Sequence, residues 1–151
     1  MAHYARFAAN AYASVDVATG VASASPHRLT LMLYEAALKQ LGKAEAHMAA
    51  GRIPEKGAAI TMAIRIVDEG LISTLDLSQG DLAHNLKSLY EYINRCLLKA
   101  SLRNDPAMLA EPRALLAGMR DTWVAITPIT DNVRVPKGLQ SAYSNLGVAA
   151  A

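Results

Sequence analysis

The chain is nearly without cysteine, tryptophan and phenylalanine. Its 151 residues include one cysteine, one tryptophan and one phenylalanine. A lone Cys96 excludes an internal disulfide, and on a periodic apolar segment it reads as a reduced core thiol. The net charge is +2 with no run of Lys and Arg, so neither a nucleic-acid footprint nor a polybasic membrane patch is expected. No apolar run reaches the roughly 18 residues of a membrane span. Asn10, Ser14 and Asp16 break up the small-residue stretch after Arg6, which argues against a secretory signal. A soluble cytoplasmic protein is expected, without membrane insertion.

Catalytic signatures are missing as well. No G-x-x-x-x-G-K-[ST] loop, G-x-G-x-x-G turn or Cys-x-x-Cys pair occurs for phosphate, dinucleotide or redox chemistry. His3, His27, His47 and His84 are scattered, and the Glu-x-x-His spacing of a carboxylate-bridged metal bundle is absent. Asp81 and His84 form one acid-x-x-His pair, which supplies two ligands at most, so Asp81 reads as a helix cap. No catalytic residue, metal or cofactor is assigned, and the protein is not expected to be an enzyme.

What the chain does have is helix punctuation and apolar periodicity. With 52% hydrophobic and 19% charged residues it can build one cored domain. Ser25-Pro26 is an N-cap followed by proline at the first helical position. Leu29, Leu33, Ala37, Leu41, Ala44 and Met48 then recur at helical steps up to a left-handed stop at Gly51. Ile60, Ile64, Val67, Leu71 and Leu75 mark a second helix, weakened at Gly70. Ser78 and Asp81 give an S-x-x-D cap for a third, with Leu82, Leu86, Leu89, Ile93, Leu97 and Ala100 as its stripe and an end near Arg103. Asn104-Asp105-Pro106 opens a fourth, carrying Leu109, Leu116, Met119, Trp123 and Ile126. Pro112 requires either a kink there or a separate turn over 105–110. The fold class is all-α: an antiparallel four-helix bundle over 25–127, with room for a short extra helix in the arm 1–24 and a flexible tail over 128–151.

The surplus is apolar. Leu31, Tyr34 and Leu38 form a second stripe on helix one; Met62, Ile66 and Ile72 do so on helix two, and Tyr90 and Leu98 on helix three. A bundle helix normally keeps a polar outer face. The excess either fills wide core layers or lines a groove, and tyrosine suits a groove because its ring is apolar and its hydroxyl can stay wet.

The segments ASPHRLTLMLYEAAL (24–38), STLDLSQGDLAHNLKSLYEYINRCLLKAS (73–101) and LLAGMRDTW (115–123) resemble the flagellar secretion chaperone family FliS, in order and at the right spacing. The most specific matches are Ser25-Pro26, Leu33-Tyr34, Asn85-Leu86, Leu89-Tyr90 and Tyr92. The resemblance implies a cytosolic chaperone that binds the disordered C-terminal segment of flagellin, prevents premature polymerisation and helps deliver it to the flagellar export gate, without ATP or another cofactor. It also implies an N-terminal region that moves when cargo binds.

Helix phase divides the motif residues: Leu33, Leu86 and Leu89 read as core, and Tyr34, Leu38, Ile66, Tyr90 and Ile93 as the cargo groove. Tyr4, Phe7 and Tyr12 are expected to dock as a lid over it. In the tail, Leu139, Ala142, Tyr143 and Leu146 repeat at helical spacing and are a candidate self-docking edge. Gly70 departs from the family's usual larger apolar residue, and Pro112 interrupts a helix the family runs through. A monomer or weak homodimer is expected. The competing reading is a helical adaptor or dimerisation protein that binds a folded partner through the same apolar surface.

Overall fold

The computed structural model describes residues 25–126, and every regular element among them is helical. The expected lid residues Tyr4, Phe7 and Tyr12, and the tail with Leu139, Ala142, Tyr143 and Leu146, lie outside the described residues. Four α-helices are present: α1 (Pro26–Ala49), α2 (Ile53–Arg65), α3 (Asp81–Arg103) and α4 (Ala110–Ala125). They pack as an antiparallel bundle in which α1 lies chiefly against α2 and α4, and α3 closes the opposite side against the same two helices.

Local chemistry sets the ends. The Ser25 hydroxyl accepts from the Arg28 N–H at 3.1 Å, and Pro26 occupies the first turn. Gly51, at φ 71°, makes the left-handed turn into α2. Asn104 makes the corresponding turn after α3, at φ 49°. Pro112 causes no kink. Pro106–Leu109 form a separate 3-10 turn capped by the Asp105 carboxylate on the Ala107 N–H, and α4 starts at Ala110. Pro112 therefore falls in the first turn, where a helix needs no N–H donor. The S-x-x-D cap is replaced by a different device. Gly80 is the N-cap of α3 without a side-chain bond, while Asp76 caps the 3-10 turn Leu77–Gln79 by accepting from the Ser78 N–H.

The second helix does not run regularly to Leu75. After Arg65 it widens into a π segment, Ile66–Leu71, and then tightens into a 3-10 turn, Ile72–Thr74. A π turn inserts an extra residue, so adjacent side chains can share the inward face. Ile66 with Val67, and Gly70 with Leu71, are accordingly all buried.

Gly70 has a packing reason. A Cβ built there would lie 2.9 Å from Leu33 Cδ2, and Leu33 is itself buried in the core. Gly70→Ala should therefore lower stability by about 1 kcal/mol, overpacking outweighing alanine's better helix propensity. In combination with Leu33→Ala, the alanine at 70 should become neutral or stabilising. Urea denaturation of the four proteins measures the coupling, and strict additivity would refute the contact.

Candidate functional site

The two tyrosines expected on an outer groove face each other inside the bundle. Tyr34 on α1 and Tyr90 on α3 are both buried, and their hydroxyl oxygens are 2.5 Å apart. The bond spans the diagonal of the bundle. Burial pushes both phenols above the ordinary tyrosine range, so both stay protonated at neutral pH. One hydroxyl donates and the other accepts, so both oxygens are engaged in a place where an unpaired one would be costly.

The phase-based placement of Tyr34, Ile66, Tyr90 and Ile93 on a groove is therefore corrected: all four belong to the core cluster. Leu38 is half-buried at its edge. On α3 the inward positions are Ala83, Tyr90, Ile93, Leu97 and Ala100. The expected stripe shares the last three of these and departs in the N-terminal half. There, Leu82 is 72% exposed and Leu86 and Leu89 are half-buried, so the last two are not core leucines.

By helix spacing these leucines lie along the side of α3 between its core face and Tyr92. The Tyr92 hydroxyl on α3 donates to the Glu111 carboxylate on α4, and this hydrogen bond holds the Tyr92 phenol above its usual range. It links the two helices at that level. One and two turns beyond Glu111, half-buried Leu115 and Met119 lie along the stretch of α3 that carries Leu89 and Leu86. The result is an apolar strip of Leu86, Leu89, Leu115 and Met119, each half-buried and packed against the core, with exposed Leu82 at its end.

The strip's open end is at the start of α1. Trp123 of α4 donates its indole N–H to the His27 carbonyl at 3.0 Å and stacks on the His27 ring at 4.9 Å. At the other end of α4, Arg113 pairs with Glu45 of α1 at 2.5 Å. The half-buried leucines are thus carried on a braced scaffold.

No three His, Cys, Asp or Glu side chains gather in metal-binding geometry among the described residues, and none of the described helices is long and apolar enough to cross a membrane. His84 is exposed at the start of α3.

The chain resembles known proteins in sequence. The sequence model of the family described as flagellar protein FliS matches residues 8–130. The chain is 42% identical over 119 residues to the flagellar secretion chaperone FliS of Salmonella typhimurium, covering 78% of this chain and 88% of that protein. It is 39% identical over 125 residues to the flagellar secretion chaperone FliSB of Pseudomonas aeruginosa, covering 82% and 98%. With the FliS of Escherichia coli it shares 38% identity over 121 residues, covering 80% and 89%.

Proposed function

The chain belongs to the FliS family of flagellar secretion chaperones, and from that premise we propose that its cargo is flagellin, held by the C-terminal segment along the α3–α4 strip. The family role is non-enzymatic. In this reading the chaperone works in the cytoplasm, keeps flagellin from polymerising early and helps deliver it to the flagellar type III export apparatus.

The observation that carries the reading is the strip of half-buried Leu86, Leu89, Leu115 and Met119, with exposed Leu82 at its end, on a braced bundle. A disordered amphipathic segment gains helix and buried apolar area by docking there. Ordering the segment consumes roughly 2 to 5 kcal/mol or more of the gross interaction, which keeps release accessible at the export apparatus. No nucleotide is required for such an exchange.

Calorimetry against monomeric flagellin tests the proposal. Full-length flagellin should bind, and flagellin lacking its C-terminal segment should bind at least about a hundredfold more weakly, a loss of roughly 2.7 kcal/mol. Equal affinity for the two would overturn the assignment of the cargo segment.

A further inference from the structure

A second apolar surface sits at the opposite end of the bundle, where α2 begins and α3 ends. Lys56 reaches from α2 to the Ser101 carbonyl of α3 at 2.9 Å, which seats the first turn of α2 against the last turns of α3. Leu98 and Leu102 flank Ser101 and face away from the core residues Leu97 and Ala100; they are 52% and 76% exposed. Ile53, one turn before Lys56, is 49% exposed. A single exposed leucine is ordinary, but three large aliphatic residues brought to one end of a small bundle form a patch.

The rim of this patch is basic. Arg52 at the N-cap of α2 and Arg95, Lys99 and Arg103 along the last turns of α3 are all exposed. Arg95 lies 5.9 Å from the centre of the Tyr92 ring, and none of the four is ion-paired with a carboxylate among the described residues. Of the nearby acids, Glu91 pairs with Lys87 at 3.7 Å, Asp105 caps the Ala107 N–H and Glu111 accepts from the Tyr92 hydroxyl. Glu55 is the remaining acid on the first turn of α2.

We infer that this face is a second docking surface, for an acidic amphipathic protein segment whose apolar side chains cover Ile53, Leu98 and Leu102 and whose carboxylates meet Arg52, Arg95, Lys99 and Arg103. Its aliphatic residues lie at the far end of the bundle from Leu82, where the cargo strip starts, while Arg95 on its rim sits over Tyr92 near the strip's other end. A membrane surface fits less well, because interfacial helices bury a long continuous apolar face and this one offers three side chains. Charge complementarity of this kind sets partner choice and association rate more than raw affinity.

The test uses the full-length chain and two labelled helical peptides of about 16 residues, long enough for marginal helicity, one of Leu and Glu and the other of Leu and Lys in the same pattern. Fluorescence anisotropy should show at least about tenfold preference for the Glu peptide, weakening in high salt. Leu98→Ser with Leu102→Ser should reduce that binding about tenfold or more. Arg95→Glu with Lys99→Glu should reverse the preference toward the Lys peptide. These positions are exposed, and circular dichroism checks that the variants remain folded.

Equal binding of the two peptides, an unchanged preference after charge reversal, or stronger binding to phosphatidylglycerol vesicles than to the Glu peptide would each overturn the inference. A flagellin C-terminal peptide should bind the variants as tightly as it binds the parent. If it were lost with them, this face would belong to the cargo site and the separate partner would fall, while the flagellin proposal would stand. If the parent itself failed to bind the flagellin peptide, only that proposal would fall.

Discussion

Ile93→Ala is expected to destabilise the bundle by about 2 to 5 kcal/mol, while Leu89→Ala, one turn away on the same helix, should cost about 1 kcal/mol. The difference follows from placement. Ile93 has no exposed surface and touches the core on all sides, so its truncation leaves a cavity; Leu89 is half-buried on the side of α3 between its core face and Tyr92. Against a typical stability of about 5 to 15 kcal/mol, the first loss is large, and for a bundle of this size it should lower the melting temperature by roughly 8 °C or more. Flagellin binding should reverse the order. Leu86→Ser with Leu89→Ser should weaken it at least about thirtyfold, near 2 kcal/mol, as truncation of an interface hot spot does. Thermal melts and calorimetry on the same proteins test both statements. A Leu89→Ala variant as unstable as Ile93→Ala, or a leucine pair that could be replaced without effect on cargo affinity, would contradict the placement of the strip.

Much of the architecture was legible because helix ends are local chemistry. Ser25-Pro26, Gly51 and Asn104-Asp105-Pro106 each act over three or four residues, and each marks a boundary in the structure. Of the two alternatives Pro112 allowed, the separate turn is the one formed. The division into core and surface was less legible, for three physical reasons. The π segment breaks the 3.6-residue period, so Ile66, assigned to an outer stripe, turns inward beside Val67. On α3 the core register passes through Ala83 and Tyr90 instead of Leu82 and Leu89, and a stripe chosen by hydrophobicity favours leucine over a small residue or a phenol. Finally, α1 is enclosed by α2, α4, the π segment and the turn at Pro106–Leu109, so residues such as Leu31 and Tyr34, off its main stripe, are buried too. The signal for Tyr34 and Tyr90 was present but incomplete: each buried tyrosine needs a partner for its hydroxyl, and only the fold shows that the partner is the other one.

The tyrosine pair should show its coupling in a double-mutant cycle. Tyr34→Phe alone strands the Tyr90 hydroxyl in the core, and Tyr90→Phe strands that of Tyr34, so each single change should cost about 1 to 3 kcal/mol. The double variant removes both polar groups while keeping both rings, and its stability at neutral pH should lie within about 1 kcal/mol of the parent. The pH dependence supplies an independent sign. Both phenols are held above their ordinary value by burial. Below the unfolded tyrosine pKa of about 10, folded and unfolded chains both keep these protons and the pair's contribution is fully present. Above it the unfolded chain releases them and the folded chain does not, so stability should fall with rising pH by up to about 1.4 kcal/mol per unit for each tyrosine. Tyr92 remains in every variant, so the difference between the parent and the double variant isolates the buried pair. Urea midpoints taken between neutrality and strong alkali should decline more steeply for the parent than for the double variant. Parallel alkaline profiles, or single substitutions as harmless as the double one, would mean that the two hydroxyls are not coupled across the bundle.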